Sequence, residues 1–294
     1  MFILFLMLSE VAGSTLEFVP EGCAAVVTAR GAAKDPGLAW LVDSWAYTPP
    51  EVPIRRLVKV AGPDELSLAI FPSGKLLLVL GAWRREPGRG DLRALVPGAI
   101  VVRYKGVEIA SGSGGQFSAC SLCRGYLLVG ADVGTVQEAV DAGGGRSIED
   151  SAGYSEMMGS AHRGDLTFFA DNRNLKFSGF LRDLEHRWRM SLLLSADSME
   201  WVGAWLDVVD RGRVKGRVAF KCSDEEHIED VRDDAEFLGE TFRRKFAAEK
   251  VRYSGKVEVS GRTVVLDFEV GGLEPLWTKL LKRGVLSLIG RPRM

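Results

Sequence analysis

The chain lacks a surplus of charge: 38 lysines and arginines stand against 39 aspartates and glutamates, a formal net charge of −1. Nucleic-acid binders carry a basic surplus or stripe, so nucleic acid is not an expected partner. Cysteine is scarce, at four in 294 residues. That is too few for a disulfide-stapled scaffold, though an oxidising compartment stays open. The three histidines, His162, His186 and His227, are isolated from one another and from Cys23 and Cys222, whereas structural metal sites need four ligands, usually in closely spaced pairs. Neither G-x-S-x-G, H-E-x-x-H nor G-x-x-x-x-G-K-[ST] occurs, and the glycine clusters at Gly112–Gly115 and Gly143–Gly145 read as a hairpin turn and a linker. No cofactor and no enzymatic activity are expected from these motifs; a Ser-His-Asp site recognised only by geometry would leave no such trace.

Long hydrophobic runs are also missing, with one exception at the start. Met1 to Leu8 is wholly apolar and is followed by the small residues Val11-Ala12-Gly13. The run is too short to span a bilayer. It has the length of a signal h-region, with small residues for cleavage, but no basic residue precedes it. The expectation is a signal or anchor remnant over 1–15 and an exported, periplasmic or membrane-anchored protein.

What the chain does have is an ordinary globular composition, 46% hydrophobic and 26% charged, enough for a sizeable core. Strand patterns dominate. Ala24–Thr28 reads as a buried strand, Glu65–Phe71 and Leu76–Leu80 as a hairpin, and Ala99–Tyr104, Val107–Ala110, Gln116–Ser121 and Tyr126–Val129 as short strands with glycine-rich punctuation. Asp132 is placed to cap a helix bearing Val136, Ala139 and Val140. A second series follows: a strand over Leu166–Ala170, a hairpin of Met199–Val208 with Val214–Phe220, and a hairpin of Val251–Val259 with Thr263–Val270. Ser223 and Glu226 have the spacing of a capping box. They precede a stripe of Ile228, Val231, Ala235, Leu238, Phe242 and Phe246 at helical spacing. The acids from Asp224 to Asp234 fill the polar face of that helix and complement its dipole. Asp171–Asn174 reads as a polar turn.

The two series correspond. Gly22–Val27 aligns with Gly164–Phe169, Gly37-Leu38 with Gly179-Phe180 at the same offset, and Tyr104–Ile109 echoes Tyr253–Val259 with one residue inserted. The fold expected is α+β, with two pseudo-repeated lobes, each mainly antiparallel sheet with packed helices. The lobes cover 16–145 and 164–294 and a linker covers 146–163.

Two constellations carry candidate chemistry. Cys120 and Cys123 form a C-x-x-C, which in a redox site opens a helix whose N-terminus stabilises a thiolate. Here they lie among strand residues, where positions three apart face opposite ways, so they converge as a redox pair only if the chain turns between them. Near the C-terminus, Trp277, Leu280 and Leu281 fall near one helical face while Lys279, Lys282 and Arg283 fall largely elsewhere. Basic amphipathic segments with tryptophan can lie on a membrane surface or meet a partner; the alternative is a helix packed on the second sheet.

Three stretches, Tyr104–Ile109, Gly125–Asp132 with Val136–Asp141, and Gly164–Asp171, resemble bacterial envelope proteins grouped as domain of unknown function 3352. The resemblance runs over most of the chain after about Leu16, in apolar strands, glycines and a helix. It implies a secreted or membrane-anchored, non-enzymatic protein and supplies no catalytic residues. The functional expectation is a non-catalytic cell-envelope binding or scaffolding module with an unknown protein as partner. The alternatives are a carrier holding an apolar ligand between the lobes, and a hydrolase without a sequence signature.

Overall fold

The computed structural model describes residues 14–31, 62–83, 87–88, 95–96, 98–112, 117–159, 164–179, 182, 195–210 and 212–273. Among these residues, twelve strands join in one sheet. They are β1 (Ala25–Arg30), β2 (Pro63–Ile70), β3 (Leu76–Trp83), β4 (Ile100–Tyr104), β5 (Val107–Ser111), β6 (Ala119–Cys123), β7 (Tyr126–Gly130), β8 (Leu166–Asp171), β9 (Met199–Asp210), β10 (Arg213–Cys222), β11 (Arg252–Ser260) and β12 (Thr263–Gly271). Their order across the sheet is β11-β12-β10-β9-β8-β1-β2-β3-β7-β6-β5-β4. Every pairing is antiparallel. The α+β class expected from the sequence is the one observed.

The sheet is apolar on both faces because its central strands contain continuous apolar runs. Successive side chains point to opposite faces. Leu77 and Val79 of β3 accordingly join Leu128 of β7 on one face, while Leu78 and Leu80 join Leu127 and Val129 on the other. The first face is covered by a 3-10 turn at Thr15–Phe18, by α1 (Val133–Ala142) and by α2 (Ala152–Gly159). Leu16, Phe18, Val136, Ala139, Ile148 and Met157 are fully buried there. On the other face α3 (Ile228–Ala248) lies over β10, β12 and β11, where Val231 and Ala235 meet Phe220, Val264 and Leu266.

Local chemistry sets the element ends. Asp132 caps α1 as its position suggests, its Oδ1 accepting from the Thr135 N–H at 2.8 Å. The capping box at Ser223 does not form. Ser223 directly follows β10, and its N–H and hydroxyl both donate to the Ser198 carbonyl, at 2.9 and 3.0 Å. Asp224 instead accepts from the His227 N–H at 3.2 Å, and α3 starts after His227.

Three expectations change in detail. The segment read as a linker over 146–163 is a packed element over Ser147–Gly159: Ile148 donates to the Val19 carbonyl at 2.8 Å, and Ile148, Tyr154 and Met157 enter the core. The halves do not form separate sheets, because β1 and β8 pair directly from Ala25↔Ala170 to Ala29↔Leu166. The echo of Tyr104–Ile109 in Tyr253–Val259 has no topological counterpart. Outward from the β1–β8 junction the order is β1-β2-β3-β7-β6 on one side and β8-β9-β10-β12-β11 on the other. The hairpin in the place of β11–β12 is therefore β6–β7, with β5–β4 added beyond it. Local similarity of two strand-turn-strand stretches does not encode their place in a sheet.

Candidate interaction surface

Among the described residues the sheet does not close, which leaves two edge strands, each with a row of unpaired backbone groups. These two edges differ in chemistry. At one end, β4 begins Ile100-Val101-Val102, with residue exposures of 75%, 59% and 37%. Beyond them Arg103 pairs with Glu108 of β5 at 3.3 Å. The hairpin turns at Lys105 and Gly106, both with positive φ, as a two-residue turn that matches strand twist requires. Tyr104 and Lys105 both bond Asp141 at the end of α1, at 2.8 and 2.7 Å. The Lys105 ammonium holds the Asp141 carboxyl below its ordinary value. The strand is thereby fixed in place with its apolar side chains exposed.

At the other end, β11 carries Arg252, Ser254, Lys256 and Glu258 along its exposed face, and Lys256 forms an ion pair with Glu258. Charges continue inward on the same face, with Arg217 bonded to Asp267 at 2.7 Å and Lys215 near Glu269 at 3.9 Å. Charged edges resist pairing with another strand; β4 has only one charge, at Arg103.

A buried polar knot sits on the first face near the sheet centre. The hydroxyls of Thr28 and Thr15 both bond that of Ser67, at 2.9 and 2.7 Å. Arg30 donates to Glu65 at 2.9 Å, and Glu65 also accepts from the Thr15 N–H and the Ser14 hydroxyl, at 3.2 and 3.3 Å. Burial pushes the nearby Glu149 carboxyl above its ordinary value. These bonds secure the start of the described chain to β1 and β2. Among the described residues, Arg30 Nη1 and Trp205 Nε1 have no hydrogen-bond partner.

Under α3 lies an open groove of about 370 Å³ lined by Glu236, Gly239, Arg243, Tyr253 and Leu266 among others. Its apolar flank is an aromatic cluster in which Tyr253 lies 5.9 Å from Phe246 and 6.3 Å from Phe268, between ring centroids. Burial raises the Tyr253 phenol.

No family model matches the chain, and no curated protein does. The chain shares its fold with TP0453. Crystal form I of TP0453 superposes with a TM-score of 0.54 at 9% identity, over 93% of this chain and 98% of that one. Crystal form III gives 0.55 at 9% identity, over 93% and 100%. At that identity the likeness shows the fold alone.

The residues singled out from the sequence fall as follows. Cys120 and Cys123 lie on β6 and are not brought together: Cys123 faces the core beneath α1 and Cys120 the opposite core. All four cysteines are buried, and none is in a disulfide. Burial pushes the Cys120 thiol up to about 11 and that of Cys23 to about 12, away from the thiolate that redox chemistry needs. Trp277, Lys279, Leu280, Leu281, Lys282 and Arg283 lie outside the described residues. His227 sits on an exposed turn with Asp224 at 3.5 Å, while the Ser223 hydroxyl, turned to the Ser198 carbonyl, lies 3.4 Å from that same carboxylate. The acid thus lies between serine and histidine, not behind the histidine as a nucleophile-activating triad requires. Among the described residues no group of His, Cys, Asp and Glu is placed to hold a metal, and no helix is long and apolar enough to cross a membrane. Sequence reading found β4 but not its edge position. The only local signal was apolar residues at consecutive positions, which fits a strand buried on both faces equally well.

Proposed function

We infer that the chain is a non-catalytic cell-envelope protein that binds or scaffolds a protein partner through the β4 edge of its sheet. The carrying observation is the exposed Ile100-Val101-Val102 strand at the end of a sheet whose opposite edge is charged. An apolar edge strand offers main-chain hydrogen bonds and side-chain burial together, the basis of binding by strand addition. Export is supported by the apolar run of Met1 to Leu8, and the fold likeness to TP0453 is compatible with an envelope protein while specifying no function. Kinship with domain of unknown function 3352, descent of the two halves from one duplicated lobe, and membrane-surface contact by residues 276–294 belong to the same proposal. The matching strand order on either side of the β1–β8 junction supports the duplication. That junction is a hydrogen-bonded ladder, which favours an edge-binding module over a carrier with a ligand between the lobes.

The test uses cells that make the protein naturally, with a photo-cross-linking residue placed at Val101 or, as a control, at Glu258. The expected result is an envelope-fraction protein, trimmed near Gly13, that cross-links from position 101 and not from 258. Intact protein in the cytosolic fraction, or no cross-link from 101, would overturn the reading.

A further inference from the structure

We propose that the partner taken up by β4 is a second copy of this chain, joined antiparallel through β4 itself. This rests on the edge-binding reading and names its occupant. Two edges allow three pairings between copies. Joining β11 to β11 sets charged rows against each other and strips water from Arg252, Lys256 and Glu258. Joining β4 to β11 sets apolar side chains against those charges, and being heterologous it leaves an edge free at each end, the geometry of an open filament. Only β4 with β4 matches apolar to apolar, and it closes on a twofold axis.

The backbone suits this pairing. Tyr104 and Val107 flank the two-residue turn as partners, so they exchange the first hydrogen bonds of the hairpin. Alternation then gives Val102 with Ile109, and Ile100 with Ser111, as the further bonded pairs. The N–H and C=O groups of Val101 and Arg103 therefore face away from β5, toward the open side. A twofold axis at Val101 sets that residue opposite its own counterpart and Ile100 opposite Val102; Arg103 falls opposite the small Ala99, whose N–H stays with the Val96 carbonyl at 3.2 Å while its carbonyl faces the Arg103 N–H of the second copy. Cross-strand β-branched pairs of this kind are favourable. The two Arg103 side chains stay at the ends of the ladder, each with its own Glu108.

The experiment is sedimentation velocity on the purified full chain over a concentration series, with Val101→Lys, Val101→Pro and the β11 control Val259→Lys. The expected result is a reversible dimer whose dissociation constant rises about tenfold or more in both Val101 variants, the scale of losing favourable cross-strand contacts. It should be unchanged in Val259→Lys. Val101→Pro removes a donor that faces the open side and none that bonds β5, so far-ultraviolet circular dichroism should match the parent in all three. A chain that stays monomeric throughout overturns the inference. A dimer insensitive to both Val101 variants, or weakened equally by Val259→Lys, overturns it too. In a monomeric chain, a cross-link from position 101 to a different protein would still leave the edge-binding reading standing, so the two can fail separately.

Discussion

Gly143 follows α1 with ordinary helical dihedrals, φ −62° and ψ −15°, so its lack of a side chain answers to space and not to backbone conformation. A Cβ there would lie 2.5 Å from the ring of Phe18 and 2.7 Å from Arg124. Phe18 is fully buried, with its ring tilted against that of Tyr126 at 4.9 Å between centroids, which leaves it no room to retreat. Gly143→Ala should therefore destabilise the protein by about 1–3 kcal/mol, the usual cost of overpacking. Gly144→Ala, whose nearest neighbour would be 3.9 Å away, should be neutral or slightly stabilising; urea midpoints of the two variants make the comparison. Asp132 gives a second test, in pH. The Lys75 ammonium and then the Thr135 N–H hold its carboxyl at about 2, against an ordinary 3.8. A carboxyl lowered in the fold binds fewer protons there than in the unfolded chain. Its contribution is thus full above about pH 4 and lost as pH falls through about 2. The pair is half-exposed and screened by water, so the effect is modest. The stability advantage of the parent over Asp132→Asn should shrink to nothing over that window. Neither Gly143 nor the Lys75 partner was legible from sequence. Asp132 as a cap was, because capping is a local relation between a residue and the third one after it, whereas the contact of Gly143 with Phe18 joins segments far apart in the chain.

At the scale of elements, α3 shows how a solvated face can conceal an anchor. Its acids read from sequence as one exposed polar face, and most are. Asp234 is buried, and its Oδ2 accepts from both the N–H and the hydroxyl of Ser195, at 2.7 and 2.6 Å. It ties the helix to the turn that leads into β9. Asp234→Ala should cost about 2–3 kcal/mol, as expected when hydrogen bonds to a charged acceptor are lost and a partly buried N–H is orphaned. Asp233→Ala, one position along, should change stability by less than about 0.5 kcal/mol. Hydrogen exchange at the Ser195 amide would report the loss locally. Periodicity located α3, β9, β10, β11 and β12 nearly to their ends, because both the helical stripe and strand alternation are local patterns. It could not single out Asp234, since its partner lies 39 residues away and nothing in its neighbours differs from the rest of the run.

For the whole molecule, hairpins were legible and their assembly was not. Each of the hairpins β2–β3, β9–β10 and β11–β12 has its turn residues between two apolar runs, and each was found. The contacts that make one sheet out of them, β3 with β7, β10 with β12 and above all β1 with β8, are long-range, and the strands that make them carry no mark of partner choice. The apparent linker shows the same limit: glycines and polar residues around Gly143–Ser147 suggested a break, yet Ile148 and Tyr154 return the chain to the core. The candidate surface was half legible. An apolar strand was visible at Ile100–Val102, but its exposure follows from being last in the sheet, a property of the complete strand order.

The β1–β8 pairing also bears on how the protein is made. During synthesis β2 emerges soon enough to cover one side of β1, but β8 begins about 140 residues after β1. At roughly 5–20 residues added per second, the other side of β1 waits on the order of ten seconds for its partner. Throughout that interval the growing chain presents Val26, Val27 and their neighbours as an open template in the middle of what will become the core, where a nascent chain on an adjacent ribosome could pair in place of β8. The centre of the finished sheet is thus sealed long after its first strand is made, and that delay opens it to misassembly between neighbouring chains.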